Sequence, residues 1–149
     1  MSVALREAIV AAARGWLGTP YRHQASLRGV GSDCLGLVRG LWRELIGPEP
    51  EPMRPYTSDW AEASGQETLI ELGERHFAPV RVDQWRAGDI LVFRFREGAV
   101  AKHVGVATGE GRMIHAHDGA CVAEVALGAW RRRIVRAFAF PGVQAEDAR

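Results

Sequence analysis

Cys34 has the sequence surroundings of a catalytic nucleophile. It follows a Gly31-Ser32-Asp33 turn and begins an apolar helical repeat. Ser32 or Asp33 can cap this helix by accepting hydrogen bonds from its first free N–H groups. A cysteine in the first helical turn feels the positive end of the helix dipole, which lowers the pKa of its thiol and favours the thiolate. Because the thiolate is the attacking species, the position of Cys34 predicts covalent catalysis.

Three histidines on a predicted β-hairpin supply candidate bases for this thiol. Residues 102–108 read as one strand and residues 112–117 as the return strand, with a glycine-containing turn between them. His115 and His117 share one face, because side chains alternate along a strand. If the strands pair across a three-residue turn, His103 faces His117 directly and His115 diagonally. The pattern predicts a nucleophile, a base and an orienting residue, and leaves open which of the two later histidines supports His103.

Five sequence blocks together resemble one known enzyme family. They occur in this order along about residues 3–142: Trp16-Leu17-Gly18-Thr19-Pro20-Tyr21, Asp33-Cys34-Leu35-Gly36-Leu37-Val38, Ala87-Gly88-Asp89-Ile90-Leu91-Val92-Phe93, His103-Val104-Gly105-Val106 and Ile114-His115-Ala116. The set resembles the NlpC-type cell-wall cysteine peptidases, which are papain-like enzymes that cut peptidoglycan stem peptides. The Cys-Leu-Gly version and the segment 39–44 look most like the peptidases encoded with phage tails and gene transfer agents.

The resemblance implies a role for each matching residue. Cys34 would be the nucleophile, His103 the general base, and His115 the polar residue that orients His103. Tyr21 would line the site near the oxyanion. Asp33 would bind the free amino group of the stem peptide's N-terminal L-Ala.

Two departures from the family pattern bear on substrate preference. Family members commonly have serine directly after the cysteine, where this chain has Leu35. They often have a Gly-Gly pair soon after the tyrosine, where this chain has His23-Gln24. Neither departure touches the nucleophile or the base.

The function that the resemblance implies is hydrolysis of the γ-D-Glu–diamino acid bond of peptidoglycan by a Cys/His/His acyl-enzyme mechanism without a cofactor. A phage-like tail or particle would deliver the enzyme, so tail proteins are expected partners. Two alternatives stay open: an amidase or acyltransferase with the same thiol machinery, and a non-catalytic module that binds cell wall within a tail.

Composition and charge agree with this interpretation. The chain of 149 residues carries a formal net charge of +1, which provides no electrostatic case for nucleic-acid binding. We expect the cluster Arg131-Arg132-Arg133 to form a solvated face. No apolar stretch is long enough to insert in a membrane, and no secretion signal is evident. The expectation is therefore synthesis in the cytoplasm and action on the periplasmic cell wall as part of a virion tail.

Metal binding and disulfide formation are both disfavoured. The two cysteines, Cys34 and Cys121, are too few for a disulfide scaffold, and a bond between them would mask the nucleophile. Cys34, Cys121 and the three hairpin histidines match no compact zinc signature, although His115 and His117 could chelate from one strand face. We expect no metal, and a packing role for Cys121.

The elements that would position these residues form an α+β, papain-like domain. N-terminal helices are expected to pack on a C-terminal antiparallel sheet of about five strands. The predicted helices are 3–17, 34–46 and a stretch that begins at a Ser58-Asp59 cap, breaks near Gly65 and continues to Phe77, with an extended proline segment at 48–55. The predicted strands are 90–95, 102–108, 112–117, 120–125 and 134–140. One domain would span 1–149, with residues 143–149 as a disordered tail.

Overall fold

Three α-helices, a short hairpin and a six-stranded sheet build the fold. The computed structural model describes residues 2–57, 60 and 64–143. The helices are α1 (Ser2–Arg14), α2 (Cys34–Leu45) and α3 (Thr68–His76), and the hairpin comprises β1 (Ser26–Leu27) and β2 (Gly31–Ser32). The sheet strands are β3 (Ala78–Val80), β4 (Ile90–Phe93), β5 (His103–Gly109), β6 (Arg112–His115), β7 (Ala123–Ala126) and β8 (Ile134–Ala139). They lie in the order β3-β8-β4-β5-β6-β7, and all neighbours are antiparallel.

This arrangement confirms the predicted fold class of N-terminal helices on a C-terminal antiparallel sheet. The sheet has one strand more than expected, because β3 pairs with β8 at the sheet edge. β3 is only three residues long and contains Pro79, which lacks a backbone donor and is tolerated at an edge. Its sequence therefore carries no clear strand signal.

Several predicted element boundaries were wrong by a few residues. α1 ends at Arg14 instead of residue 17, and the chain leaves the helix through a turn that closes at Gly18 with φ +86°. α3 spans Thr68–His76 and so begins after the expected break near Gly65, whereas the predicted Ser58-Asp59 cap lies outside the described residues. The strand expected at 112–117 ends at His115, which leaves His117 in the following loop.

Side chains of β4 alternate between two hydrophobic cores. Ile90 and Val92 belong to the core that contains α1 and α2, whereas Leu91 and Phe93 belong to a second core with Met113 and Leu127. The sheet is therefore covered on both faces. On the helix side, Gly40 of α2 lies against the ring of Trp16, because a Cβ at Gly40 would be 2.0 Å from a ring carbon.

A buried ion pair fastens α1 to the sheet at the start of β4. Arg6 Nη1 donates to Asp89 Oδ1 at 2.9 Å and to the carbonyl oxygen of Ala87 at 2.9 Å. Asp89 is fully buried, and its Oδ2 also accepts from the backbone N–H of Arg86. Gly88 has φ +92°, and a Cβ at this position would lie 3.3 Å from the Arg6 backbone. The Ala-Gly-Asp block noted in the sequence is thus a junction between a helix and a strand.

The arginine cluster and Val143 bear on two further predictions. Arg131, Arg132 and Arg133 are exposed, as expected. Val143, which was assigned to the disordered tail, is fully buried and belongs to the helix-side core; the remaining tail residues lie outside the described part of the chain. None of the helices in the described part is long and apolar enough to span a bilayer.

Candidate active site

A cavity of about 280 Å³ brings most of the predicted residues together. It lies where the start of α2 meets the beginning of β5 and the loop after β6. Its lining consists of Tyr21, His23, Asp33, Cys34, Tyr56, Trp60, Phe95, Lys102, His103, Ala116, His117 and Asp118. Four of the five predicted site residues line this cavity, and the fifth, His115, lies behind His103.

Cys34 is the first residue of α2, and local sequence explains its placement. Asp33 caps the helix, with Oδ1 accepting from the backbone N–H of Gly36 at 2.7 Å. Gly36 allows the preceding loop to pass close to the helix, because a Cβ there would lie 1.9 Å from the carbonyl oxygen of Ala25. The Asp-Cys-x-Gly spacing therefore fixes both the cap and the loop that surround the thiol.

The expected low pKa of the Cys34 thiol is wrong in this structure. Burial, together with the adjacent carboxylate of Asp33, raises the pKa of Cys34 to about 12. Backbone hydrogen bonds from Val104 and Leu35 act in the opposite direction but are outweighed. The positive end of the helix does not lower the pKa of Cys34, because the carboxylate at the cap offsets it and because Cys34 is buried, with only 7% of the residue exposed. Cys34 is therefore a neutral thiol at neutral pH.

His103 and His115 form a hydrogen-bonded pair. His103 Nε2 lies 2.8 Å from His115 Nδ1. The three-residue turn, which would pair Thr108 with Arg112, is wrong, because a bulge near Thr108 makes Gly109 the partner of Arg112. Beyond the bulge, Val106 lies opposite Ile114, in the register that such a turn implies. The residue pattern alone left His115 and His117 as alternatives; the hydrogen bond goes to His115, whereas the His117 ring lies 5.5 Å from the His103 ring between centroids.

Both paired histidines are held in the neutral form. Burial lowers the pKa of His103 well below its ordinary value, and the neighbouring His115 and His117 lower it further. Burial, with a smaller effect of His117, lowers the pKa of His115 to about 4. With a neutral imidazole, a donor at His103 Nε2 leaves Nδ1 of the same ring as the proton acceptor.

Trp130 packs against this histidine cluster, and its role was missed in the sequence. Its ring centroid lies 5.1 Å from that of His103 and 5.4 Å from that of His115. Phe95 adds a second aromatic contact, 6.0 Å from His103. Trp130 comes from the short 3₁₀ helix Gly128–Arg133, far from the histidines along the chain. No local motif marks it as part of the site.

Tyr21 lines the cavity, as predicted, and can donate a hydrogen bond there. Burial is the main cause that raises the pKa of Tyr21 to about 12, and the nearby Cys34 and Asp33 add to it. Its hydroxyl is therefore protonated at neutral pH. The backbone of Tyr21 is held by a hydrogen bond from its N–H to the carbonyl oxygen of Ala120.

Asp33 is more constrained than the sequence suggested. Besides capping α2 through Oδ1, it accepts at Oδ2 from the backbone N–H of Gln24 at 2.7 Å and from the hydroxyl of Tyr56. Tyr56 and Trp60 stack with 4.1 Å between ring centroids and line the cavity. Tyr56 directly follows the proline segment 48–55, and nothing in the sequence marked it as a partner of Asp33.

Over residues 2–57, 60 and 64–143, no group of three or more His, Cys, Asp or Glu side chains is arranged to hold a metal ion. Cys34 and Cys121 are both free thiols. Cys121 is exposed, so its expected packing role was wrong. It precedes β7 and forms an isolated backbone bridge with Pro20 instead of lying within a strand.

Comparison with known proteins agrees with this geometry. A profile of the NlpC/P60 family matches residues 18–139, which include every candidate site residue. The chain belongs to the NlpC/P60 family. Its N-terminal helices and antiparallel sheet are the papain-like fold of this family, and the chain resembles family structures over most of its length.

Three NlpC/P60 relatives illustrate the likeness. Murein DD-endopeptidase MepH of Escherichia coli K12 is 31% identical over 98 residues, which are 66% of this chain and 31% of that protein. This chain thus matches about a third of the length of that relative. The NlpC/p60 domain of the peptidoglycan hydrolase SagA is 25% identical, with a TM-score of 0.63 over 91% of this chain and 98% of the SagA domain.

The third relative shows a shared fold without catalysis. RipD of Mycobacterium tuberculosis is a non-catalytic NlpC/p60 domain protein adapted to peptidoglycan binding. It is 19% identical, with a TM-score of 0.55 over 92% of this chain and 97% of the RipD chain. Membership of the NlpC/P60 family therefore does not by itself establish an enzyme.

The two departures from the NlpC pattern have different structural consequences. Leu35 is buried and packs beside Val38, away from the residues that line the cavity. Gln24 has φ +67°, a left-handed conformation that glycine adopts freely and other residues adopt at a cost of roughly 1–2 kcal/mol. Its side chain offsets this cost by donating from Nε2 to the carbonyl oxygen of Tyr56. His23 Nε2 contacts the same oxygen at 2.8 Å.

Proposed function

We propose that this chain is a peptidoglycan hydrolase, a cysteine endopeptidase that cleaves stem peptides. The proposal depends on one observation, that Cys34 lines the same cavity as His103, which is hydrogen-bonded to His115. Cys34 begins α2, His103 begins β5, and both side chains line one cavity. His115 lies outside the cavity lining and is hydrogen-bonded to His103. Covalent acyl transfer requires this combination of nucleophile, base and orienting residue.

The proposed mechanism starts from a neutral thiol and a neutral imidazole. As Cys34 Sγ attacks the scissile carbonyl, His103 accepts the thiol proton at Nδ1, and the bond to His115 keeps the ring oriented. The Cys34 backbone N–H and the Tyr21 hydroxyl are the proposed oxyanion donors; such a donor typically contributes about 2.7–4 kcal/mol to transition-state stabilisation. His103 then protonates the leaving amine, and water hydrolyses the thioester.

Asp33 is the proposed ligand for the amino group of the stem peptide's N-terminal L-Ala. Its carboxylate lines the cavity beside the nucleophile and is buried, so an ionic hydrogen bond there would be strong. Three donors of the chain already occupy it. A carboxylate has about four lone-pair positions, which leaves room for one further donor.

Two bonds are candidates for cleavage. The γ-D-Glu–diamino acid bond is proposed from the sequence resemblance. A bond between two D-configured residues is the second candidate, because the relative MepH is a murein DD-endopeptidase. Delivery by a phage-like tail to the periplasmic cell wall is likewise proposed from the resemblance of the Cys-Leu-Gly version. An amidase or acyltransferase reaction and a binding role, as in RipD, are the competing functions.

Mass spectrometry of muropeptides tests the proposal directly. The substrates are monomeric and cross-linked diaminopimelate-type muropeptides, incubated with wild-type protein, Cys34→Ala and the matched control Cys121→Ala, in which the exposed free cysteine is removed. We expect wild type and Cys121→Ala to release L-Ala–D-Glu fragments and Cys34→Ala to release none.

Other products would redirect the assignment. Conversion of cross-linked dimers to monomers would move the bond to the DD position. Thiol-dependent release of the whole stem peptide, or of a transferred acyl product, would indicate an amidase or acyltransferase. Binding to peptidoglycan sacculi without any cleavage by folded wild-type protein would contradict the enzyme proposal and favour a binding module. Full activity of Cys34→Ala would refute the assigned nucleophile.

A further inference from the structure

Tyr56 lies at the end of the proline segment and joins three parts of the site. Its hydroxyl donates to Asp33 Oδ2, its carbonyl oxygen accepts from Gln24 and contacts His23, and its ring stacks on Trp60. Tyr56 is 23 residues from Asp33 along the chain, so these contacts come from the tertiary fold. They surround the residue that immediately precedes the nucleophile.

Two residues that contact Tyr56 have strained backbone conformations, which neighbouring residues must hold in place. Among the described residues, three that are not glycine have a positive φ: Gln24 at +67°, Trp60 at +51° and Glu110 at +49°. Tyr56 contacts the first two. Left-handed conformations of such residues persist only where the surroundings hold them, and they cluster at functional sites.

Asp33 connects Tyr56 to the start of the helix that carries the Cys34 thiol. One carboxylate oxygen caps α2 at Gly36, and the other accepts from Tyr56 and Gln24. A hydroxyl donor stabilises the negative charge, and removal of that donor leaves the charge exposed to the adjacent thiol. The orientation of the cap and the electrostatic field at Cys34 therefore both depend on the bond from Tyr56.

We propose that Tyr56 is a positioning residue, through which the proline segment completes the active site by fixing Asp33 and the loop before Cys34. This inference rests on the proposed function in that Cys34 is taken as the nucleophile. Its effect on the thiol, however, can be measured without any peptidoglycan substrate.

The other anchors of the proline segment provide a matched control. Glu51 pairs with Arg75 and His76 of α3, and these residues do not line the cavity. Glu51→Gln therefore loosens the same segment at a point away from the thiol. Tyr56→Phe removes only the hydroxyl and keeps the ring that stacks on Trp60.

The experiment measures alkylation of Cys34 by iodoacetamide at pH 8, in a Cys121→Ser background, together with kcat/KM on muropeptides and the melting temperature. We expect Tyr56→Phe to slow alkylation several-fold and to lower kcat/KM about tenfold or more, as the loss of a hydrogen bond to a charged group implies. Glu51→Gln should leave the alkylation rate and kcat/KM within about twofold of wild type.

The outcomes separate this inference from the proposed function. Slower alkylation of Tyr56→Phe in a protein that cleaves no stem peptide would support the positioning role and count against the hydrolase. Cleavage by wild type with unchanged alkylation and kcat/KM in Tyr56→Phe would overturn the positioning role alone. Equal slowing in Tyr56→Phe and Glu51→Gln would also overturn it, because the segment would then act only through general stability.

Discussion

At the scale of single residues, the protonation state of the site differs from the usual picture of an ionised cysteine–histidine pair. Burial and Asp33 keep Cys34 as a thiol, and burial keeps His103 neutral. In the proposed mechanism, most Cys34 side chains would therefore still carry their proton when attack begins. The hydrogen bond to His115 engages one nitrogen of the His103 ring, and the proposed mechanism uses the other nitrogen to receive the proton.

The raised pKa of the thiol predicts the pH dependence of its alkylation. In a Cys121→Ser background, the rate of iodoacetamide modification of Cys34 should climb steadily from pH 7 to pH 10, because the thiolate fraction grows up to the pKa of about 12. Peptide mass mapping measures the modified fraction. A plateau below pH 8 would instead show a low-pKa thiolate and contradict the buried-thiol description.

Substitution of His115 and substitution of His117 should have very different effects on activity. His115→Ala should lower kcat/KM on muropeptides at least about 10²-fold, because His103 loses the bond that fixes its orientation. His117→Ala is the matched comparison, since His117 lines the cavity and lies 5.5 Å from His103 between ring centroids. Steady-state kinetics on both variants decide the point, and an equal loss would contradict the assigned role of His115.

At the scale of secondary-structure elements, the site depends on junctions between helices and strands. α2 presents Cys34, β5 presents His103, and both pack through the helix-side core. The Arg6–Asp89 pair holds α1 against the start of β4, which lies next to β5 in the sheet. This buried pair is a structural counterpart of the Ala-Gly-Asp block in the family pattern.

Loss of the buried acid at that junction should be costly. Asp89→Ala should lower the free energy of unfolding by about 3–5 kcal/mol, because the Arg6 guanidinium then stays buried without the carboxylate that balances its charge. Asp83→Ala is the control, since its pair with Arg81 is exposed and its loss should leave the free energy of unfolding nearly unchanged. Urea unfolding of both variants measures the difference, and similar small losses would show that the buried pair is not a main anchor.

At the scale of the whole molecule, the buried histidines couple folding to pH. The pKa of His115 is lowered to about 4 and that of His103 is lowered as well, whereas an unfolded histidine has a pKa near 6.5. The unfolded chain therefore binds more protons between these values. Stability is fully present above about pH 6.5 and is lost as the pH falls toward 4, by up to about 1.4 kcal/mol per pH unit for each histidine.

Thermal unfolding at a series of pH values tests this coupling. We expect the melting temperature of wild type to fall between pH 7 and pH 5, with a shallower fall for His115→Gln. Glu51, whose pKa is lowered to about 2 chiefly by Arg75, contributes in a separate and more acidic window, where protonation removes its ion pair. An unchanged melting temperature from pH 7 to pH 5 would contradict burial of neutral histidines.

Features of the fold and site could be predicted from the sequence where the interacting residues lie close together along the chain. The helix that begins at Cys34, a cap at Ser32 or Asp33, and the hairpin register that Val106 and Ile114 keep were predicted, because each depends on residues close together in the chain. The strand β3 was not, since three residues with a proline carry too little pattern. The end of α1 was misplaced because apolar periodicity continues through Trp16 into the turn.

By itself, the sequence determined the fold class, the candidate nucleophile and the family-like order of blocks. The strand pattern left His115 and His117 open and the family resemblance assigned His115, while the tertiary structure shows the hydrogen bond between His115 and His103. Only the tertiary structure brought Tyr56 and Trp130 to the site. It also reversed the expected ionisation of Cys34. The physical reason is that helix caps, strand alternation and turns are local, whereas burial and the field of a neighbouring charge arise only when distant segments pack together.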